Sequence, residues 1–362
     1  MDRRGFFRSM LGKGLTHGAR QVDAVVIPFE RAARAARAAM PQDDDPVETA
    51  GLDEEELFAS DPPLPATGTT QTVSDEQLMR LAADAGLVRH VEPLVKLARR
   101  SVRLTPGDGP PADGVRSRLG GAPDLPFGGV WPRWDDQPLT FLGQLDLREA
   151  RALGLDPALP ADGLVLIFSA LERVPAGSSP LDRNATQLMY VEPSRLPRDP
   201  GARIGASAPF GARALELSAE LSLPRVWSAD VQGLGLDDAE QQQWEQVRRD
   251  LAIAQGVEAW EAGEESRSRH HLLGWPDESR GDMAVACELA ARGVDVGYGS
   301  PRAHPEARRL GDAPERWRLL LQLSADEECG WSFGSGRERL YLWGQADRLA
   351  DGDFDAVHGL AR

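Results

Sequence analysis

The residues of this chain whose types could do chemistry are few: adjacent histidines at His270 and His271, a cysteine beside a glutamate at Cys287 and Glu288, and arginines and aspartates around two glycine- and proline-rich stretches. Vicinal histidines face opposite sides of a strand and diverge by about 100° on a helix, and no carboxylate stands at a spacing that would close a metal site locally. Cys287 has no neighbouring base to lower its pKa and reads as a small apolar packing residue. A phosphate-cradling glycine loop and an H-E-x-x-H pair are absent, and "GLGLDD" lacks both the third glycine and the preceding strand of a dinucleotide site. No catalytic residue, metal or cofactor is therefore assigned.

The two stretches are "GGAPDLPFGGVWPRW" (120–134) and "GWPDESRGD" (274–282). Prolines pin the first and glycines let it turn sharply, so it can hold Trp131 and Trp134 against a strand beginning near Leu139. The indoles then either close the end of a core or form a rim. In the second case the two stretches are equivalent rims of a cleft, with Arg118, Trp131, Arg133, Trp134 and Gln144 on one side and Trp275, Asp277, Arg280, Asp282 and Gln322 on the other.

These residues need elements to position them. Ser74 with Gln77 three residues later, an apolar face at Leu78, Leu81, Ala82 and Ala85, and Gly86 as a stop predict one helix. Asp237 with Glu240, the stripe Trp244, Val247, Leu251 and Ala254, and Gly256 predict another, with Trp244 in the core. Runs rich in β-formers predict strands at 101–105, 139–147, 164–169, 186–191, 213–218, 318–324 and 339–344. Strands and helices do not alternate, which argues against a doubly wound parallel fold.

"GAPD" (121–124) recurs as "GWPD" (274–277), an echo that composition alone would produce on the order of 0.2 times. Downstream, "FLGQLDL" and "LVLIF" are matched by "LLLQLSA" and "LYLW", aligning Gln144 with Gln322 and Phe168 with Trp343. The expected fold is α+β, with two structurally similar, mainly antiparallel β-sheet halves (about 100–235 and 236–362) and flanking helices, from an internal duplication. A glutamine inside such a strand needs hydrogen-bond partners if buried.

"RLGGAPDLPFGGVWPRW" with "PLTFLGQLDL", then "HHLLGWPDESRGDMAVACELA", then "WRLLLQLSADEECGWSFGSGRERLYLWGQADRLADGDF" resembles the YwqG-like family of bacterial proteins, a domain of unknown function, over about residues 74–360. The resemblance implies a mixed α/β domain of two similar halves and carries over no catalytic residue or cofactor. Toxin-immunity gene neighbourhoods among relatives imply a protein-binding role.

Of the 362 residues, the first 40 carry a net charge of +5, including Arg31, Arg34 and Arg37 on an alanine-rich helical pattern, and residues 41–61 a net charge of −9. The sequence reads as a basic amphipathic extension (1–40), an acidic, proline-rich linker (41–72) expected to be disordered, and one domain (73–362). The extension has the composition for weak contact with an anionic membrane or an acidic surface. The formal charge of −16 argues against a nucleic-acid partner, and two cysteines are too few for a disulfide framework. Arg3, Arg4 and Phe7 are placed as in a twin-arginine export signal, but Lys13, His17, Arg20 and Asp23 interrupt the apolar region that must follow, so a cytoplasmic location is expected, with export as the alternative. The function expected is a non-enzymatic binding or interaction module, of immunity type, for a protein or small-molecule ligand. The alternative is a hydrolase or transferase with its site in the cleft between the halves.

Overall fold

The computed structural model describes residues 73–154, 159–171, 176–177, 179–197, 209–257, 269–277, 282–297, 299–326, 329–333 and 339–362. They fall in the second of two units of the chain, Phe58–Arg362. The extension and linker, and candidate residue Arg280, lie outside the described residues.

Both predicted helix starts close as capping boxes. Helix α1 (Asp75–Asp84) has Ser74 and Gln77 bonding each other's backbone amides, and Gly86 follows at φ +85°. After α2 (Val91–Leu97) comes β1 (Arg99–Pro106), then β2 (Arg118–Leu119), the two-residue strands β3 (Arg133–Trp134) and β4 (Gln137–Pro138), and β5 (Thr140–Asp146). Helix α3 (Leu147–Ala152), β6 (Leu164–Ser169), β7 (Thr186–Val191), β8 (Arg213–Ser222) and the single turn α4 (Ala229–Gln232) lead to α5 (Asp238–Ala254), capped reciprocally by Asp237 and Glu240. The chain continues through β9 (His270–Leu273), α6 (Met283–Ala291), β10 (Trp317–Ser324), β11 (Arg339–Gln345), α7 (Ala346–Ala350) and β12 (His358–Ala361).

All seven runs of β-formers are strands. Ten strands make one antiparallel sheet in the order β12-β11-β10-β9-β1-β8-β2-β5-β6-β7, so this is a mixed α/β fold dominated by a single large sheet. The sheet curls until β12 meets β7. Gly359 lies against Thr186, His358 Nε2 donates to the Gly177 carbonyl (2.7 Å), and Arg362 donates to the Ala176 carbonyl (2.6 Å). Strand alternation sends Val102, Leu104, Leu145, Val165, Leu217, Leu272, Leu323 and Leu342 into one apolar interior shared by both ends of the sheet.

The outer faces are covered differently. Helix α6 lays Met283, Ala286 and Cys287 over Trp317, Leu319, Tyr341 and Trp343. Over Phe141, Leu166 and Phe168 the cover is the glycine- and proline-rich segment itself, with Trp131 edge-on to Phe168 at 5.3 Å and donating its indole N–H to the Leu139 carbonyl (2.8 Å). A third cluster gathers α1, α2 and α5 around Trp244, which is fully buried.

Strand registers at the two ends of the sheet run parallel. Arg118 opposes Gln144 across β2–β5, and His271 opposes Gln322 across β9–β10. Strand β5 shifts register against β6 between Phe141 and Gly143, and β10 against β11 between Leu319 and Leu321. A left-handed residue pair closes each short strand: Gly120 (+62°) and Gly121 (+70°) directly after β2, then Leu273 (+58°), the last residue of β9, with Gly274 (+79°).

Candidate functional site

Each left-handed pair folds the chain back so that the aspartate of its G-x-P-D lies over a mid-strand glutamine. A Cβ on Gly274 would stand 2.7 Å from Ser101 Cβ, and one on Gly121 2.8 Å from Ala212 Cβ, so glycine is required for packing as well as for φ. The Asp124 amide donates to Gln144 Oε1 (3.0 Å), and Gln144 Nε2 donates to Asp124 Oδ2 (3.0 Å) and to the Arg116 carbonyl (2.9 Å). The Asp277 amide donates to Gln322 Oε1 (2.9 Å), and Gln322 Nε2 donates to Asp277 Oδ2 (3.1 Å) and to the Arg269 carbonyl (3.3 Å). Both glutamines are fully buried and both amides are satisfied.

The charges around the two aspartates differ. Asp124 is held by Arg116 Nη1 (3.1 Å) and Arg118 Nη2 (2.6 Å), and Arg118 also donates to the Ala122 carbonyl (2.5 Å). At the second site His271 stands on the strand where Arg118 stands at the first, and the cations come from elsewhere. Arg269 Nη1 lies 3.5 Å and Arg248 Nη2, from α5, 3.6 Å from Asp277 Oδ1, while Arg339 and the Tyr341 hydroxyl donate to the Asp277 carbonyl. Arg269 Nη2 also reaches Glu220 Oε1 (2.5 Å), a carboxylate that accepts from Arg103 and Ser101 as well.

Burial works to raise the Asp277 carboxyl, but Arg269, followed by His271 and Arg248, outweighs it and holds Asp277 far below the usual carboxylate range. Glu220 is likewise lowered, since Arg269 and Arg103 overcome its burial. Burial, helped by the Arg269 charge, pushes His271 down to about 4, which keeps the ring neutral near pH 7.

A third group joins His270, Asp326 and Cys329, whose ligand atoms lie within 4.8 Å of one another. Its hydrogen bonds oppose a metal. Nδ1 of His270 accepts the Ser324 amide hydrogen (3.1 Å), so the ring proton sits on Nε2, 3.3 Å from Asp326 Oδ2. A cation at Nε2 would have to move that proton to Nδ1, where another N–H already points. The Ser117 hydroxyl plays the same part at the first site, accepting the Asp146 amide (2.9 Å).

The His270 hydrogen bond holds Asp326 well below the usual range, whereas burial and then the Asp326 charge push the Cys329 thiol up to about 12. Cys287 is fully buried. Iodoacetamide at pH 8 should therefore leave both cysteines unmodified in the native protein, and both should alkylate in urea. Native modification of Cys329, read by mass spectrometry, would show a thiol far more acidic than this geometry allows.

The sequence-derived candidates thus separate into several places. Arg118 and Gln144 meet at Asp124, while Trp275, Asp277 and Gln322 meet at the second site, where Trp275 carries Arg99 stacked 3.4 Å above its ring. Trp131 and Trp134 pack in the outer apolar cluster, and Arg133 donates to the Asp136 carbonyl in the β3–β4 turn. Asp282 precedes α6 and accepts from Ser300 (3.2 Å). Between the two ends of the sheet, among the described residues, Leu145, Val165, Leu188, Leu272 and Leu321 leave room for about one water-sized group.

Residues 117–359, the span that holds both G-x-P-D turns and their glutamines, match a family model described as a domain of unknown function, DUF1963. The chain belongs to this family. A search of curated proteins finds no match. The DUF1963 span contains the described residues of β2 through β11, but Arg103 of β1 and Arg116, which reach into the two sites, lie ahead of it.

Sequence reasoning did not find Arg116, Arg248, Arg269, Glu220 or Arg339. Asp124 and Asp277 stand in a repeated motif, and each motif precedes an aligned glutamine, which was the available signal for those pairs. Nothing in the spacing connects Glu220 or Arg248 to Asp277, because β8 is brought there only by the sheet order and α5 only by tertiary packing.

Proposed function

We propose that this DUF1963 chain is a non-enzymatic interaction protein that meets a protein partner through the turn Pro126–Val130. The observation that carries this reading is the display of two large apolar side chains on a fixed turn: Phe127 is 83% and Val130 78% exposed. The Gly129 amide donates to the Pro126 carbonyl (2.9 Å), and Gly128 takes the left-handed conformation (+72°) that the third position of a type II turn demands. Trp131 roots the turn in the core. Apolar anchors on a preorganised turn bind with little ordering cost. By contrast, Asp124, Asp277 and Glu220 are fixed in buried ion pairs, an arrangement suited to positioning and poorly suited to general-base work.

The matched registers, bulges and Asp–Gln contacts support descent of the domain from two copies of one unit, and membership among the YwqG-like proteins accompanies this reading. An immunity-type role would follow from binding of a toxic partner. Among the described residues no helix is long and apolar enough to cross a membrane, and we assign the protein to the cytoplasm on the interrupted apolar region of its N-terminus.

The test is photo-crosslinking in the native host with benzoylphenylalanine at position 127 and, as control, at the exposed Glu216 on β8. One discrete protein adduct is expected at 127 and none at 216. Identical patterns at both positions, or no adduct at either, would remove the turn as the contact. Hydrolysis of an ester or phosphoester by the pure protein, lost in Asp277→Asn, would establish the enzymatic alternative.

A further inference from the structure

The guanidinium of Arg99, at the start of β1, is half-buried and stacked on the indole of Trp275, 3.4 Å from the ring centre. Among the described residues it meets no hydrogen-bond acceptor and forms no ion pair, unlike Arg103 on the same strand, which is paired with Glu220 (3.0 Å). Burial, and then the charge of Arg318 on β10, lower the group to about 10, while Asp230 of α4 attracts it without touching it. A guanidinium drawn partly out of water beside a second cation, with no counter-charge in contact, is costly to keep.

Neutral groups hold both cations in place. The Ser222 hydroxyl donates to the Arg99 carbonyl (3.3 Å) and accepts the Trp275 amide hydrogen (2.9 Å), and the Trp275 indole donates to the Leu97 carbonyl (2.6 Å). Arg318, also half-buried, gives its Nη1 to the Glu315 and Trp317 carbonyls, which leaves the edge formed by its Nε and Nη2 without a partner among the described residues. Neither arginine depends on an acid for its position, and the donors of Arg99 are all open.

We propose that Arg99 and Arg318 together bind a phosphate group. An open guanidinium edge takes two phosphate oxygens side by side, and an arginine already stacked on an aromatic ring presents that edge with little further ordering. Two guanidiniums match the charge of a dianion, whereas a carboxylate would leave one of them uncompensated. Both side chains reach solvent, so the phosphate can arrive attached to a larger molecule and no enclosed cavity is needed. The site is independent of the Phe127 turn.

The experiment uses the full chain at pH 7.5 and constant ionic strength, balanced with chloride. Phosphorus-31 line broadening of inorganic phosphate reports binding directly, and a saturable rise in Tm is expected alongside it. Phenyl phosphate and a phosphoserine peptide, the latter against its unphosphorylated form, separate a small molecule from a protein as the bearer of the group.

Arg99→Gln should weaken phosphate binding by about tenfold or more, as expected for loss of a charge-assisted hydrogen bond. Arg309→Gln, the same loss of charge at an exposed residue paired with Glu306 (2.8 Å), should leave it unchanged. Arg318→Gln, which gives up only carbonyl contacts close to it in sequence, decides on the same terms if Arg99→Gln does not fold. Absence of saturable binding to the wild-type chain, or equal affinity in the Arg309→Gln control and the deciding variant, overturns the proposal.

Discussion

Asp277→Ala is expected to cost about 3 to 5 kcal/mol and lower Tm by roughly 10 °C, because it strands buried cations without a counter-charge. The carboxylate is the common partner of Arg269, Arg248 and the Gln322 amide, and its residue is only 8% exposed. Removing it leaves the guanidinium groups facing each other and one amide donor unpaired. Asp124→Ala should cost a similar amount through Arg116 and Arg118. Asp282→Ala, whose carboxylate accepts from one exposed serine, should cost under about 1 kcal/mol. Urea unfolding of the three variants decides the ranking, and a double variant with Arg269→Met should recover part of the Asp277→Ala loss. Equal, small effects at all three positions would show that the buried ion pairs contribute no more than surface ones.

Acid should destabilise the fold well above the usual carboxylate range. The imidazole of His271 faces Arg269, Asp277 and Glu220, and burial lowers its pKa to about 4 from 6.5. The unfolded chain therefore binds a proton between pH 6.5 and 4 that the folded chain refuses. Stability is whole above pH 6.5 and falls as pH drops toward 4, by about 3 kcal/mol for a shift of this size. His358, lowered by its own burial, acts in the same direction. Below about pH 4 the depressed carboxyls of Asp277, Glu220 and Asp326 continue the loss. Urea midpoints taken between pH 7 and 4.5 should rise with pH, and His271→Leu should flatten that slope by about one proton. A variant with the wild-type slope would place the titration elsewhere.

Helices α1 and α5 were legible because a capping box is local: Ser74 with Gln77 and Asp237 with Glu240 are each three residues apart, and stop glycines follow both. The seven long strands were legible for the same reason, as runs of β-formers. Strands β2 and β9 were not, since two to four residues carrying arginine or histidine lack any apolar alternation, and only partners on both sides make them strands. At the sites, the Gln144–Asp124 and Gln322–Asp277 pairs were half visible as a repeated motif upstream of aligned glutamines. Of the arginines that neutralise the second aspartate, Arg269 stands only eight residues before it, just ahead of β9, but Arg248 comes from α5 and Arg339 from β11, and no spacing rule predicts those two. The two tryptophans of the glycine- and proline-rich stretch were expected to act as a core cover or a rim. Their indoles do for one outer face of the sheet what α6 does for the other.

The pairing of β1 with β9 joins residues about 170 positions apart, Ser101 with Leu273, while β1 also pairs with β8. Strand β1 thus lies between two stretches that are made long after it. A nascent chain exposes Val102 and Leu104 with neither neighbour present until β8 has emerged, and the β9 side stays open longer still. Closing so long a loop is entropically expensive and slow, and meanwhile an unpaired apolar strand is a template for the wrong partner. The arginines at 99, 100 and 103 give this early strand a charge that keeps such templates apart until its own partners arrive.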